Sequence, residues 1–396
     1  MDKLNAKAHL ILSYLYQLRV LSYNEIKEFI IPDLSESYAD KILKSLVKDE
    51  YIEKTGYFKE NSSYQIKQKG IKYLDSYGLI SVGTNTSRSI PLLLQANQIR
   101  INERVVEHQM NLNHFVLRRA KEKEFEYYDE KYMSKLVVGA RPDGAIVEDK
   151  IYFLEMDMNT EKEKALNEKW KQYRTFLTSD NFYRLDKDIL GLFILGGGVT
   201  DTSMRRTYLR KQILKMLPDL LSNKFNFIIG TEDKLLGHLN NSYKRQIAET
   251  FGGWGYKISK GEFSNGAFSN FTFDFYIVKL SDEGKLLSRD GEAEEYIIDD
   301  LTDGNLYSLL KLSSIASIES SFMYKYKRHI KYIAVVESEE DAETICKELE
   351  IYNENIFFTT PSRLKEKSIN TALFQIDNMG KRWHFSGDNL KIRINE

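Results

Sequence analysis

Residues 141–160, RPDGAIVEDKIYFLEMDMNT, constrain the fold more than any other stretch of this chain. The Pro-Asp-Gly sequence near its start is typical of a turn, and a second, charged turn follows at Glu148–Lys150. The next run, Ile151–Met158, is apolar except for two acids. Alternate side chains of a strand share a face, so Glu155 and Asp157 point the same way. The stretch therefore predicts a β-hairpin with two carboxylates in an apolar strand.

The hairpin register is expected to bring Asp143, at the head of the first strand, towards Glu155 and Asp157. Carboxylates in an apolar strand are unfavourable unless a cation or hydrogen bonds compensate them. Three carboxylates around one point form an oxygen site suited to Mg²⁺ or Mn²⁺, and such an ion activates water against a phosphodiester. We therefore predict that all three bind Mg²⁺ or Mn²⁺. An ordinary turn with solvent-facing acids is the alternative.

Glu161–Leu177 has the spacing of a helix that buries Leu166, Trp170 and Tyr173. Lys162 and Lys169 of this helix either overhang the acids or belong to a solvated face. The candidate catalytic set is accordingly Asp143, Glu155, Asp157, Lys162 and Lys169.

Residues 1–80 have the pattern of a winged helix–turn–helix. Two amphipathic helices, Leu4–Leu18 and Tyr23–Ile30, precede a third over Ser35–Lys48, and two short strands then enclose the wing GYFKENSS. Polar residues on the outer face of the third helix suit groove and phosphate contacts: Ser37, Tyr38, Lys41 and Lys44.

The segment from Lys54 to Lys72 is basic, with five lysines against one acid. Phosphate attraction is the expected role of such a wing, so we add Lys54, Lys59 and Lys67 to the residues predicted to bind double-stranded DNA. The alternative for the module is protein contact or dimerisation.

Residues 81–95, SVGTNTSRSIPLLLQ, have a linker composition and separate this module from a middle domain over 96–240. A helix predicted over about 96–124 contains HQMNLNH, whose His108 and His114 are too far round the helix to share a metal ion. A strand at Ile189–Gly196 precedes a basic helix, where Arg205, Arg206 and Arg210 either contact the DNA backbone or are solvated. The glycines at 196–198 lack the lysine of a phosphate-binding loop.

Residues 241–396 predict a C-terminal α/β domain that echoes the middle one. Asp274 in FTFDFYIVKL corresponds to Asp143, and residues 295–305 resemble residues 152–162. We therefore predict a duplicated α/β unit whose second copy is degenerate and has lost part of the acid set.

Composition narrows the class of protein. One cysteine, Cys346, excludes a disulfide framework, and the lack of a long apolar run predicts a soluble, cytoplasmic protein without membrane contact. A net charge of −1 means that a nucleic-acid binder of this kind must concentrate its positive charge locally.

Three features occur in a specific order: SYQIKQKGIKYL at the end of the first module, HQMNLN, and RPDG followed by FLEMDMNTE. Together they resemble the replication-relaxation family of plasmids and other mobile elements, over about residues 5–240. The resemblance implies a role in plasmid replication and in DNA relaxation or mobilisation. It also implies partners among mobilisation or replication proteins, and we allow for a homodimer.

The hairpin also resembles the restriction-endonuclease-like PD-(D/E)XK core. The resemblance implies that Asp143 is the first metal ligand and Glu155 the second, but Asp157 stands where that core has its lysine. Either Lys162 or Lys169 replaces that lysine, or the fold is no longer a nuclease.

The sequence thus predicts an α+β or α/β chain that recognises an origin-like DNA site and nicks DNA by metal-assisted hydrolysis. Transesterification through a tyrosine stays open as a relaxase-like mechanism, with Tyr173 nearest to the acids but expected in the core. The main alternative is a replication initiator or transcriptional regulator that uses an inactive nuclease fold as a scaffold.

Overall fold

The computed structural model describes residues 4–58, 61–80, 94–137, 139–196, 202–240, 244–261, 272–289, 292–302, 304–327, 329–366 and 368–384. Helices and open sheets are mixed along the chain, which confirms the predicted α+β class. The chain divides into two compact units, Met1–Thr200 and Asp201–Glu396. The first unit contains both the N-terminal module and the acidic hairpin, and the division at residue 200 precedes the boundary expected at 240. Most of the expected linker, 81–93, lies outside the described residues.

The N-terminal module combines helices with a small antiparallel sheet. Ser22 and Glu25 form a capping box at the start of the second helix, and Ser35 caps the third, as their positions before apolar runs indicate. In the sheet, Asn61–Ile66 lies between the other two strands. The elements are Ala6–Leu18, Leu21–Ser22, Tyr23–Glu25 continued by a π-turn at Ile26–Ile30, Glu36–Lys48, Ile52–Phe58, Asn61–Ile66 and Gln68–Ser76.

Buried side-chain amides attach this module to the helix Glu103–Ala120. Gln65 accepts from the backbone N–H of Ile101 at 3.0 Å and donates to the carbonyl of the same residue at 3.3 Å. Asn113, which is fully buried, donates to the carbonyls of Leu18 and Val20 at 3.0 and 2.6 Å. The helix predicted over 96–124 is therefore interrupted: Ile101 pairs with Gln65, and a new helix begins after Asn102.

The rest of the first unit is a sheet with helices. Gly144–Val147 pairs antiparallel with both Glu126–Asp129 and Ile151–Asp157, and the latter pairs in parallel with Ile189–Leu195. The predicted hairpin is thus confirmed. The helices of this region are Ala96–Ile99, Glu103–Ala120, Glu130–Leu136, Glu163–Leu177 and Asp180–Tyr183.

The second unit contains a seven-stranded mixed sheet. Its strand order is Arg382–His384, Phe374–Ile376, Ile356–Thr359, Lys331–Val335, Glu295–Asp300, Phe273–Val278 and Lys257–Gly261. Other strands of the unit are Phe225–Thr231, Ser288–Arg289 and Glu292–Ala293. Its helices are Thr202–Met216, Glu232–Asn240, Lys244–Gly253, Leu306–Ser313, Ile315–Tyr326, Glu339–Leu349, the 3₁₀ turn Arg363–Lys365 and Ile369–Ala372. Across the described residues of both units, none of the helices has the length and apolar character that a membrane crossing requires.

Candidate active site

The hairpin register brings two of the predicted acids together. Gly144 pairs with Leu154, so the next position along the ladder sets Asp143 opposite Glu155. The backbone N–H of Asp143 donates to the carbonyl of Leu154 at 2.9 Å, and the N–H of Met156 donates to Asp143 Oδ2 at 2.8 Å. These bonds fix the first carboxylate against the backbone of the second strand.

Glu155 is buried, with an exposed fraction of 1%, and both of its oxygens accept hydrogen bonds. Lys169 Nζ lies 2.9 Å from Oε2, and the hydroxyl of Tyr173 donates to Oε1 at 2.5 Å. Lys169 also forms an ion pair with Glu161 at 3.1 Å. Because Lys169 and Tyr173 are four residues apart, the helix Glu163–Leu177 presents both to the same carboxylate.

Asp143 is flanked by a histidine from the first unit's long helix. His108 Nε2 lies 3.3 Å from Asp143 Oδ2, and both side chains are partly exposed. Burial raises the pKa of Asp143, but the hydrogen bond and charge of His108 and the charge of Lys169 outweigh it and hold that pKa below its usual value. Burial lowers the pKa of His108, but Asp143 outweighs it and raises the pKa above its usual value.

Glu155 differs electrostatically from Asp143. Burial is the main reason that the pKa of Glu155 rises to about 7, and the charge of Asp143 adds to the rise. Lys169 and the Tyr173 hydroxyl act in the opposite direction. Burial lowers the pKa of Lys169, but the surrounding carboxylates outweigh it and raise this pKa, so the lysine stays charged at neutral pH. The site therefore joins one ionised carboxylate, one that titrates near neutrality, and an ammonium group.

The third predicted ligand, Asp157, accepts a hydrogen bond from the backbone that follows its strand. Asp157 is buried, and its Oδ1 accepts from the N–H of Asn159 at 3.0 Å, which stabilises the tight turn after the strand. In the described part of the chain, no group of three or more His, Cys, Asp or Glu side chains is arranged to hold a metal ion. The three-carboxylate site stays a prediction, and its best-defined part in the structure is the opposed pair Asp143 and Glu155.

The structure distinguishes the two candidate lysines. Lys169 contacts Glu155, whereas Lys162 is exposed at the N-cap of the helix and takes no part in the cluster. Tyr173 is buried, as expected, and burial raises its pKa well above the usual value, so it is not an activated nucleophile in this arrangement.

The residues predicted to contact DNA lie mostly on the surface of the N-terminal module. Ser37, Tyr38, Lys41 and Lys44 are exposed along one helix, with Lys44 3.5 Å from Asp40. Lys54 is exposed on a strand of the small sheet, and the half-exposed Lys67 pairs with Glu50 at 3.1 Å. Lys59 lies outside the described residues.

The three arginines predicted to contact DNA are largely buried in the second unit. Arg206 pairs with Asp341 at 3.5 Å, and Arg210, only 3% exposed, pairs with Glu348 at 3.7 Å. Arg205 is buried over the ring of Tyr208 at 5.5 Å. These arginines pack the helix Thr202–Met216 within its own unit.

For His108 the sequence predicts a structural or substrate-facing polar residue and no metal ion shared with His114. In the structure His108 lies against Asp143, and His114 packs edge-on against Phe29. An available signal for His108 was its place in the HQMNLN motif, whose Asn113 also makes specific buried contacts.

Comparison with known proteins gives one informative match. No curated protein matches the chain. The central domain of yeast acetyl-CoA carboxylase aligns at 11% identity over 89% of this chain and 61% of that chain, with a TM-score of 0.19, which carries no argument about fold. Residues 12–189, which contain most of the N-terminal module and the cluster around Asp143 and Glu155, match the family model described as replication-relaxation.

Proposed function

We propose that this protein binds double-stranded DNA of a plasmid or other mobile element and nicks it by metal-assisted hydrolysis at an origin-like site. The observation that carries the proposal is the convergence of Asp143, Glu155 and Lys169 within the part of the chain that is similar to the replication-relaxation family. Two acids on paired strands beside a lysine form the residue set of the PD-(D/E)XK core. Here the lysine comes from the following helix instead of the strand.

The N-terminal module supports DNA recognition. Its three helices and small sheet follow the order of a winged helix–turn–helix, and the third helix carries Tyr38, Lys41 and Lys44 on its exposed side. Lysines on that helix and on the neighbouring strands suit phosphate contacts.

Asp143 and Glu155 are the ligands that we propose for a divalent cation. Asp143 and Glu155 are opposed carboxylates, and the charge of Asp143 raises the pKa of Glu155, so a cation bound to both would relieve their repulsion. Mg²⁺ is commonly bound by one or two carboxylates with water completing its shell. We assign Mg²⁺ or Mn²⁺ to these two residues, where the ion would activate water and neutralise phosphate charge.

The chain's own residues would prepare the site for phosphodiester hydrolysis. Lys169 holds its ammonium group 2.9 Å from Glu155, where it can stabilise the negative charge that develops on the phosphate. His108 and the N–H of Met156 both contact Oδ2 of Asp143 and orient that carboxylate. Tyr173 fixes Glu155 through its hydroxyl, so we assign this tyrosine a positioning role and not that of a nucleophile.

The proposal is tested by nicking of a supercoiled plasmid that carries the element's origin region, in Mg²⁺ or Mn²⁺. We expect Asp143→Asn to lower the nicking rate by about 100-fold or more, because it removes a ligand and weakens transition-state stabilisation. Asp274→Asn is the matched control, since it replaces an equally placed acid of the second unit, and it should retain activity. Unchanged nicking by Asp143→Asn would refute the assignment, and a covalent protein–DNA adduct would refute simple hydrolysis.

A non-catalytic initiator or regulator is the second candidate. The enclosure of Glu155 by Lys169 and Tyr173 favours it, because both carboxylate oxygens are already hydrogen-bonded. Specific binding to origin DNA without cleavage in either cation, by a folded wild-type protein, would support this alternative.

A further inference from the structure

The second unit contains a strand pair built like the acidic hairpin. Phe273–Val278 pairs antiparallel with Glu295–Asp300, and the pair Phe275–Ile298 sets Asp274 opposite Asp299 at the next position. The partner strand then pairs in parallel with Lys331–Val335, as the second hairpin strand of the first unit pairs with Ile189–Leu195. Asp274 and Asp299 thus occupy the register positions of Asp143 and Glu155.

The hydrogen bonds around the two acid pairs also correspond. The N–H of Asp300 donates to Asp274 Oδ2 at 2.9 Å, as that of Met156 donates to Asp143. Asp299 is fully buried, and Lys311 Nζ lies 2.5 Å from its Oδ1. The hydroxyl of Tyr332 donates to its Oδ2 at 2.8 Å. An opposed acid, a lysine from the following helix and a tyrosine hydroxyl therefore recur, although this tyrosine comes from a strand.

This correspondence revises the repeat expected from the sequence. The sequence match of residues 295–305 with residues 152–162 aligns Asp300 with Asp157 and Asp299 with Met156. This sequence alignment differs by one residue from the alignment that the strand pairing gives. In the structural alignment Asp299 corresponds to Glu155. Both acids of the pair are retained in the second unit.

The two clusters differ in the group that faces the first acid. In the first unit Asp143 faces His108 at 3.3 Å. In the second unit Asp274 faces Lys244, which begins the helix that precedes the strand pair. The Nζ atom of Lys244 lies 2.5 Å from Oδ1 of Asp274. Two acids are thus matched by two lysines, Lys244 and Lys311. In the first unit Lys169 is shared between Glu155 and Glu161.

We propose that the second unit carries a second copy of the carboxylate–lysine site, in which the ammonium group of Lys244 takes the place of the divalent cation. The ammonium group of Lys244 beside Asp274 offsets the negative charge of the acid pair and competes with a metal ion for the same oxygens. The inference rests on the proposed function for its view of the first site as a cation site. It predicts one cation-binding centre per chain, with a second that is latent.

The test counts the Mn²⁺ ions bound by the full chain, from the electron paramagnetic resonance signal of free Mn²⁺ during titration. We expect the wild type to bind one ion, which Asp143→Asn abolishes. Lys244→Met should bind one ion more than the wild type, and adding Asp274→Asn should remove it. Lys244→His provides a second variant with the residue type found at His108, and it should also gain an ion. Circular dichroism establishes that each variant is folded.

Lys279→Met is the matched control, because Lys279 lies in the same unit and pairs with a single acid, Glu294, at 3.8 Å. It should bind as many ions as the wild type. Folded Lys244→Met and Lys244→His proteins that gain no ion would overturn the inference, as would a wild-type ion that depends on Asp274. A wild type that binds none, with a gain in the Lys244 variants, would support the inference while contradicting the cation assignment in the first unit.

Discussion

Glu155 is a residue whose charge near neutral pH depends on its surroundings in the folded chain. Its usual carboxyl pKa of 4.5 rises to about 7 in the folded chain, mainly through burial. Since the folded state binds this proton more tightly than the unfolded state, Glu155 contributes a stability that is present at low pH. That contribution is lost as the pH rises from about 4.5 through about 7. Lys169 limits the loss by compensating the buried charge.

Lys169→Met should therefore destabilise the protein in a pH-dependent way. At pH 8 the variant leaves an ionised carboxylate buried without its cation, and we expect a loss of about 3 kcal/mol in the free energy of unfolding. At pH 5 Glu155 is protonated and the loss should be much smaller. Urea denaturation at both values measures the difference, and Glu155→Gln in the same background should restore part of the stability at pH 8. Equal losses at the two pH values would contradict this account.

At the scale of elements, the helix Glu103–Ala120 connects two parts of the first unit. Asn113 on its inner side donates to two backbone carbonyls of the N-terminal module, and Gln109 donates to Asn113 Oδ1 at 2.9 Å. His108 on the same helix faces Asp143. One helix therefore positions the predicted DNA-binding module and a residue of the candidate active site.

Asn113→Leu should cost about 2–4 kcal/mol in the free energy of unfolding, because it leaves the buried carbonyls of Leu18 and Val20 without their side-chain donor. Chemical denaturation of the full chain measures this loss. Asn111→Leu is the control: Asn111 is partly exposed and bonds mainly within its own helix, to the carbonyl of Glu107 at 2.9 Å, so its loss should be small. Similar losses for the two variants would contradict the connecting role of Asn113.

The hairpin and its helix could be predicted because their signals are local. A turn sequence, two apolar runs and a helical spacing suffice to place Asp143 beside Glu155 and to offer Lys169 as a partner.

Other contacts could not be predicted. The alternation of side chains along the strand gives the face of Asp157 but not its hydrogen bond to Asn159. The ion pairs of Arg206 and Arg210 could not be predicted, because their partners, Asp341 and Glu348, lie far along the chain. The contact of His108 with Asp143 was missed for the same reason, since it is made by folding.

At the scale of the whole molecule, positive and negative charges nearly cancel, so any positively charged surface must be local. The net charge is −1, so under the proposed function attraction to DNA would depend on the lysines of the N-terminal module and not on an overall positive field. In the second unit, Arg206 and Arg210 add little to such a surface, because both are ion-paired within that unit.

Replacing Lys41 and Lys44 together by alanine should weaken DNA binding and reduce the slope of log K against log salt concentration by about 2, since each phosphate contact contributes about 0.9. Fluorescence anisotropy with a labelled duplex over a series of salt concentrations measures both effects. Lys347→Ala with Lys365→Ala removes the same charge from exposed sites of the second unit and should leave the slope unchanged. An equal reduction by both pairs would indicate a non-specific effect of net charge.

The attachment of the N-terminal module through Gln65 and Asn113 has a geometric consequence for any strand break. If the module binds a fixed set of base pairs, the helix Glu103–Ala120 holds His108 and Asp143 at a constant distance from those base pairs along the duplex. The first unit would then fix the position of the strand break at a constant number of base pairs from the bound site, whatever sequence lies between. One residue inserted between His108 and Asn113 would rotate these two residues by about 100° relative to each other around the helix axis.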